Sequence, residues 1–224
     1  YPDAHFSLAN TLLELNRVAA ALPHYEEALR LRPSHLNTRH NFAQALVRIG
    51  RVDEAIAQFR LVLQLDPADR LAHIGLANVL AAQNQVDEAL QHFAEVLRLD
   101  PDHVDAHYNL GTTLLQHGRP AEALEHFGAV LRQRPGHPDA RLNLGAACLR
   151  LKRLPEAVEH FAAGVRMAPG DTRARNNLGL AFSALGRTAE AIEQFKESLR
   201  LNPDDALARE QLARLQATSV TPRE

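Results

Sequence analysis

The sequence contains no tryptophan, one cysteine and one methionine among 224 residues, and aromatic residues make up only 5% of it. A lone cysteine, Cys148, cannot form a disulfide within the chain and says nothing about the redox compartment. No apolar run reaches the roughly 18 residues that a membrane-spanning helix needs. The formal net charge of −2 gives no general attraction to nucleic acid or to an anionic membrane. We therefore expect neither nucleic-acid binding nor membrane insertion.

What the sequence does have is a repeat of fixed length. Proline recurs at intervals of 34 residues, at Pro33, Pro67, Pro101, Pro135, Pro169 and Pro203. A fixed period of this size is typical of stacked repeat proteins. With each proline at position thirty-two, the chain divides into six repeats, 2–35, 36–69, 70–103, 104–137, 138–171 and 172–205. Residues 206–217 begin a seventh copy and predict a capping helix, followed by a frayed tail at 218–224.

Each repeat shows two segments whose apolar residues recur with helical period, and a short turn separates them. The turn centre is glycine or asparagine, which tolerate the left-handed conformation that ends a helix, except in the fifth unit. There the residue is Lys152, so we expect a slightly strained turn. The expected N-caps of the helices that follow the prolines are Ser34, Asp69, Asp102, Asp171 and Asp204.

Small and aromatic residues recur at fixed positions of the unit. Position eight is always alanine or glycine, and position twenty is always alanine, so the helices can approach each other closely. An aromatic ring stands at position twenty-four, one helical turn after that alanine and on the same face. Cys148 lies on the apolar stripe of its helix, and we interpret it as a buried core residue.

This pattern resembles the tetratricopeptide repeat family, and the match extends over essentially the whole chain. The resemblance implies an all-α, right-handed superhelical solenoid of six helix–turn–helix units plus a C-terminal capping helix, in which the first helices line a concave groove. Family members are mostly non-catalytic binding scaffolds, so we expect a protein or peptide partner, no enzymatic activity and no cofactor. The family's aromatic residue at position four is absent from this sequence, so the packing at that position is left open. The residues that stand there are His5, Arg39, His73, His107, Arg141 and Arg175.

The strongest candidate for function is an asparagine series at position six of the first helix. It is interrupted by Ser7 and Gly75 and consists of Asn41, Asn109, Asn143 and Asn177. Asparagine is a mediocre helix former, so its repeated use within helices calls for a reason. An amide both donates and accepts hydrogen bonds and can pair with a peptide backbone whatever the peptide sequence. Helices packed about 8–10 Å apart would meet an extended chain, rising about 3.3 Å per residue, at every third residue.

Three Asn-Leu-Gly runs, which begin at Asn109, Asn143 and Asn177, are similar to those in the superhelix of O-linked N-acetylglucosamine transferase, whose groove carries such a ladder. The alternative is that asparagine is simply common at this position of the family and bonds between neighbouring repeats. The residues alone do not decide between the two interpretations.

Other positions of the first helix should face the same groove by helical spacing. Exposed apolar side chains in a concave surface suggest a binding site, although packing between repeats is the alternative. Three arginines lie toward the C-terminal end of the groove, at Arg150, Arg173 and Arg175. They predict that an anionic segment of a partner would lie near the C-terminal repeats; the alternative is that they are ordinary solvated charges. The further candidates for the groove, at positions five and nine, are Phe6, His40, Ile74, Tyr108, Asn176, Asn78 and Thr112.

Histidines are abundant, and four share position twenty-three of successive units: His24, His92, His126 and His160. Copies one repeat apart are too distant for a single metal ion unless their rings converge. We therefore interpret these histidines, and those at position four, as structural or solvated, and we predict no metal site.

Two alternatives to a simple peptide-binding module stay open. The chain could be the substrate-recruiting part of a larger enzyme, such as a glycosyltransferase, or a scaffold that assembles by end-to-end stacking of its terminal repeats. Tyr1 already lies at the edge of a repeat, so we expect the chain to be a piece of a longer protein. The sequence determines no compartment, and the cytoplasm is only the default expectation.

Overall fold

The computed structural model describes residues 1–220. Over that range the regular structure is entirely helical, in thirteen α-helices, and the predicted all-α fold class is confirmed. The chain divides into two compact units, Tyr1–Ala106 and His107–Glu224. The division falls inside the seventh helix.

The first unit contains three antiparallel helix pairs and the start of a fourth. Their bounds are α1 Pro2–Glu14, α2 Val18–Leu31, α3 Leu36–Arg48, α4 Val52–Leu65, α5 Arg70–Ala82 and α6 Val86–Leu99. Each helix packs against the next one in the chain, and α3 also contacts α1 and α5. This is the helix–turn–helix stacking that the repeat predicts.

The second unit continues the same arrangement. Its helices are α7 Val104–Gln116, α8 Pro120–Gln133, α9 Pro138–Arg150, α10 Leu154–Met167, α11 Thr172–Ala184, α12 Thr188–Leu201 and α13 Ala206–Val220. The final helix packs against α12 and continues past the predicted end at residue 217. Residues 221–224 of the predicted tail lie outside the described residues.

Aromatic rings at position twenty-four fill the space between the helices. All six are at most 2% exposed: Tyr25, Phe59, Phe93, Phe127, Phe161 and Phe195. The alanine one turn earlier is fully buried in each pair, for example Ala157 beside Phe161. Glycine at position eight makes room for the ring, since a Cβ added at Gly145 would lie 2.8 Å from Phe161 Cε1. Cys148 is 1% exposed and belongs to the same core, as predicted.

The turns inside the pairs have the predicted left-handed residue. The backbone φ is positive at Asn16, Gly50, Asn84, Gly118, Lys152 and Gly186. In the fifth pair Lys152 N–H donates to Leu149 O and Arg153 N–H donates to Cys148 O, the bonds of a Schellman motif. Lys152 adopts φ +59° although it has a Cβ, so this turn is the strained one.

The predicted N-caps are correct at Asp69 and Asp171, whose carboxylates accept backbone N–H bonds of α5 and α11. The predictions of Ser34, Asp102 and Asp204 are wrong by one residue. Each helix begins immediately after position thirty-four, so the side chain at that position reaches the first turn. His103 Nδ1 accepts from Ala106 N–H, and Asp205 accepts from Ala208 N–H.

Candidate functional site

In each unit the first helices present positions two, five, six and nine on one side, which we call the groove face. The asparagines at position six are half-buried there. Their environments differ along the chain, and the differences decide which amides have capacity left for a ligand.

Asn41 is engaged within the first unit. Its Nδ2 donates to Asn10 Oδ1 of the preceding repeat at 2.8 Å, and Tyr25 Oη donates to the same oxygen at 2.7 Å. Burial raises the pKa of Tyr25 to about 12, so the phenol stays a donor. Asn41 therefore has the inter-repeat role that the alternative interpretation predicts.

Asparagines of the second unit are less engaged. Asn143 Nδ2 makes a long contact of 3.5 Å with Thr112 Oγ1, and the Asn143 side chain also hydrogen-bonds with the Tyr108 side chain. The Thr112 hydroxyl donates to Tyr108 O at 2.8 Å. The side chains of Asn109 and Asn177 make no hydrogen bond to another described residue of their unit. For Asn177 the reason is visible in the sequence, since the preceding repeat has Ala146 at position nine.

Position five turns out to support the N-cap of the following repeat. His40 is 4% exposed and its Nε2 lies 2.9 Å from Asp69 Oδ1. Asn176 is 6% exposed and donates to Asp205 at 2.7 Å. These two predicted groove residues lie inside the repeat contact and have little surface for a ligand.

The aromatic residues at position five also contact that cap. The ring of Tyr108 stacks on His137 with centroids 5.1 Å apart, and Phe6 meets the edge of His35 at 5.4 Å. Both rings remain half-buried. They therefore keep some surface on the groove face.

Asp205 joins three helices at this contact between repeats. Its carboxylate accepts from Asn176, from Ser198 Oγ at 2.9 Å and from Ala208 N–H. Burial acts to raise the pKa of Asp205, but these hydrogen bonds lower it below its ordinary value. The charged carboxylate is thus part of the packing between α11, α12 and α13.

Arg173 is exposed but already neutralised. Its guanidinium pairs with Asp139 at 3.2 Å and with Asp171 at 3.1 Å, and the hydrogen bond to Asp171 is the main cause of its raised pKa. An anionic ligand at Arg173 would have to compete with both carboxylates. Ile74 and Asn78 lie in the first unit beside an open apolar depression, described below.

Family models described as tetratricopeptide repeat match residues 2–35 and 172–205, and match 40–104, 74–127 and 108–172 in overlapping segments. The chain belongs to the tetratricopeptide repeat family. No curated protein sequence matches it significantly.

Several solved tetratricopeptide structures are similar. YrrB, described as a TPR protein with an unusual peptide-binding site, is 26% identical with a TM-score of 0.71 over 84% of this chain and 96% of its own. PilF of Pseudomonas aeruginosa is 20% identical, with a TM-score of 0.79 over 95% of this chain and 97% of its own. MamA of Desulfovibrio magneticus RS-1 is 23% identical, with a TM-score of 0.72 over 76% and 97%. The last two likenesses concern the fold alone.

The structure explains the departure from the tetratricopeptide pattern at position four. Where this residue is arginine, its guanidinium donates to the carbonyl of the proline six residues earlier, as Arg39 does to Pro33 and Arg175 to Pro169. His73 makes the same contact from Nε2 to Pro67 O at 3.0 Å. Position four thus fastens each first helix to the end of the preceding repeat.

The sequence analysis missed that the side chains at positions four and twenty-three of the same repeat contact each other. The Nδ1 atoms lie 2.9–3.1 Å apart in each histidine pair, namely His5–His24, His73–His92 and His107–His126. In the second repeat Arg39 donates instead to Gln58 at 2.8 Å. The signal was present in the sequence, because every histidine at position four has a histidine nineteen residues later.

The hydrogen bonds fix the protonation of the His73–His92 pair. Because the Pro67 carbonyl only accepts, His73 Nε2 is the donor. In its neutral form His73 Nδ1 is then an acceptor, and His92 Nδ1 donates to it. Burial, and then the charge of His73, lower the pKa of His92, while burial and His107 do the same for His126. The His73–His92 and His107–His126 pairs therefore favour the neutral state of His92 and His126.

The described part of the chain contains no group of three or more acidic, histidine or cysteine side chains placed to hold a metal ion. Among its helices, none combines the length and apolarity needed to cross a bilayer.

Proposed function

We propose that the chain is a protein-interaction module that binds an extended segment of a partner protein on its groove face. The tetratricopeptide fold supports the general role, since its members generally serve as non-catalytic interaction modules. The finer claim is that half-exposed asparagine amides of the second unit pair with the partner's backbone.

One observation carries this proposal. Asn109 and Asn177 stand in the middle of helices, half-exposed, with no side-chain hydrogen bond to another described residue of their unit. Each can offer two N–H donors and one carbonyl acceptor. A residue that is unfavourable in a helix and that makes no side-chain hydrogen bond within its unit is better explained by an external partner. Asn143 is the next candidate, because its contact with Thr112 is long, although it also hydrogen-bonds with Tyr108.

The test begins with a phage-displayed library of random octapeptides, selected on the whole chain. The affinity of an enriched peptide is then measured for the wild type and for an Asn109→Ala/Asn177→Ala double variant. We expect a loss of about tenfold, because a lost hydrogen bond costs about 0.5–1.5 kcal/mol and 1.4 kcal/mol corresponds to a factor of ten. Helicity should not change, since neither side chain has a hydrogen bond to lose within its unit.

A matched control removes two amides that lie elsewhere. Gln64 and Gln91 are exposed on second helices, and a Gln64→Ala/Gln91→Ala variant should bind like the wild type. If no peptide is enriched, the module proposal is wrong. If the asparagine and glutamine variants bind equally well, the backbone-pairing claim is wrong.

A further inference from the structure

The asparagine series is broken in the third repeat, where α5 carries Gly75 at position six. Glycine is unfavourable in the interior of a helix, so its place in the middle of α5 needs a cause. A Cβ added at Gly75 would lie 2.5 Å from Cε1 and Cζ of Phe59. The missing side chain therefore lets the ring of the preceding repeat reach the groove face.

Its counterparts in the second unit meet a glycine at a different position of the repeat. Phe127, Phe161 and Phe195 pack against the position-eight glycine of their own repeat. The second repeat has Ala43 at that position, and the glycine beside Phe59 stands at position six of the next first helix. Phe59 thereby forms the floor of a depression between α3 and α5.

The depression has a volume of about 370 Å³ and a mainly apolar lining. Its walls are Val47, Leu71 and Ile74, with Leu71 65% exposed and Val47 39% exposed. A second depression of about 230 Å³ adjoins it and shares Val47, Asn78 and Val79. Among the six complete repeats only the third has leucine at position two, where the others have aspartate, asparagine or arginine.

Polar groups stand at the rim of the first depression. Gln44 and Asn78 are exposed there and can bond to a peptide backbone. Arg48 is also exposed at this rim and forms no ion pair with another described residue. An unpaired guanidinium beside an apolar pocket is complementary to a carboxylate.

We propose that the two depressions form a specificity site for an extended peptide segment with aliphatic side chains at positions i and i+2 and an acidic residue beside the first. Residues i and i+2 of an extended chain lie on the same side, about 6.6 Å apart, and so enter neighbouring pockets. The carboxylate of the peptide's acidic residue pairs with Arg48. Arg48 lines the first depression, which contains Gly75, and does not line the second. This inference rests on the proposed function, since it names the segment that the groove face selects.

Three substitutions test the site, and each copies a residue that the chain itself uses at the same repeat position. Leu71→Asp follows Asp139, Ile74→Asn follows Asn176, and Arg48→Glu follows Glu14. These changes should therefore leave the helices folded, which circular dichroism checks. Two controls alter exposed residues of the same unit away from the pockets, Leu65→Asp and Arg17→Glu.

The experiment selects the random octapeptide library on the wild type and on each variant, and the enriched sequences are compared. On the wild type we expect an aliphatic pair spaced by two, next to aspartate or glutamate. Leu71→Asp/Ile74→Asn should reduce enrichment of the pair at least tenfold. Arg48→Glu should replace the acidic preference by lysine or arginine, and both controls should select the wild-type motif.

Other results would overturn the inference. Enriched peptides that lack the aliphatic pair, or whose motif is unchanged by the pocket variants, would show that the site does not select. If those peptides still depend on Asn109 and Asn177, the proposed function stands and only the specificity site is wrong. An absence of any enrichment would reject both.

Discussion

The two units build their groove faces from the same 34-residue pattern but give them different chemistry. In the first unit the position-six amide is absent at Ser7 and Gly75 and is engaged at Asn41, while an apolar depression opens over Phe59. In the second unit the side chains of Asn109 and Asn177 make no hydrogen bond to another described residue of that unit. The comparison indicates that the fixed core leaves the groove face free to vary. Under the two proposals above, the first face recognises side chains of the partner and the second face recognises its backbone.

The largest expected effect on this comparison comes from removing the position-twenty-four ring in each unit. Phe59→Ala and Phe161→Ala each delete a fully buried side chain, and each should lower the free energy of unfolding by about 3–5 kcal/mol. Only Phe59→Ala should also change which peptides are enriched, because only that ring forms the floor of the apolar depression. Chemical denaturation and library selection measure the two effects separately. Equal effects of both variants on selection would remove the distinction between the units.

A second test concerns the N-cap contact, which both units share. Asp205→Ala removes the cap of α13 and leaves Asn176 and Ser198 buried without their acceptor. We expect a loss of about 2–3 kcal/mol in stability. Asp69→Ala removes the cap of α5 and the partner of buried His40, so its effect should be similar. Thermal melting of both variants tests this, and a loss well below 1 kcal/mol would mean that the contact is dispensable.

These comparisons also show what could be predicted from the sequence. Period, turn residues and the ring at position twenty-four follow from local spacing, so the repeat pattern predicts the fold class, Lys152 in its left-handed turn and the burial of Cys148. Contacts between repeats could not be placed in the same way. Whether Asn41 is engaged depends on Asn10 in the preceding repeat, and the pocket beside Gly75 depends on the Phe59 ring of the preceding repeat. Such details need the packing of neighbouring helices.

The histidine pairs occur in both units and provide a pH-dependent comparison. Because burial lowers the folded-state pKa of His92 and His126, the unfolded chain binds protons first as the pH falls below about 6.5. The pairs therefore contribute stability above that pH and lose it as the pH falls through their folded-state pKa. Between pH 7.5 and 5.5, above the range where most carboxylates titrate, the melting temperature should fall by a few degrees.

The chain supplies its own control for this effect. His73→Arg/His92→Gln copies the Arg39–Gln58 pair, which makes the same contacts without a group that titrates near neutrality. We expect the double variant to fold and to reduce the pH dependence of melting, with no effect on the His107–His126 pair. Melting curves at several pH values give the measurement. An unchanged pH dependence would place its origin outside these histidines.

The smallest expected effect concerns the turn in the second unit that departs from the rest. Lys152 adopts φ +59°, while the turns at Gly50, Gly118 and Gly186 use glycine with φ +74° to +78°. Lys152→Gly relieves the Cβ strain but increases the freedom of the unfolded chain, so the net gain should be about 0.5–1 kcal/mol. Gly186→Lys is the reverse change and should destabilise by a similar amount. Lys152 is exposed and lies outside the groove face, so neither variant should alter which peptides are selected. A change in the selected peptides would mean that the geometry of the turn affects the groove face.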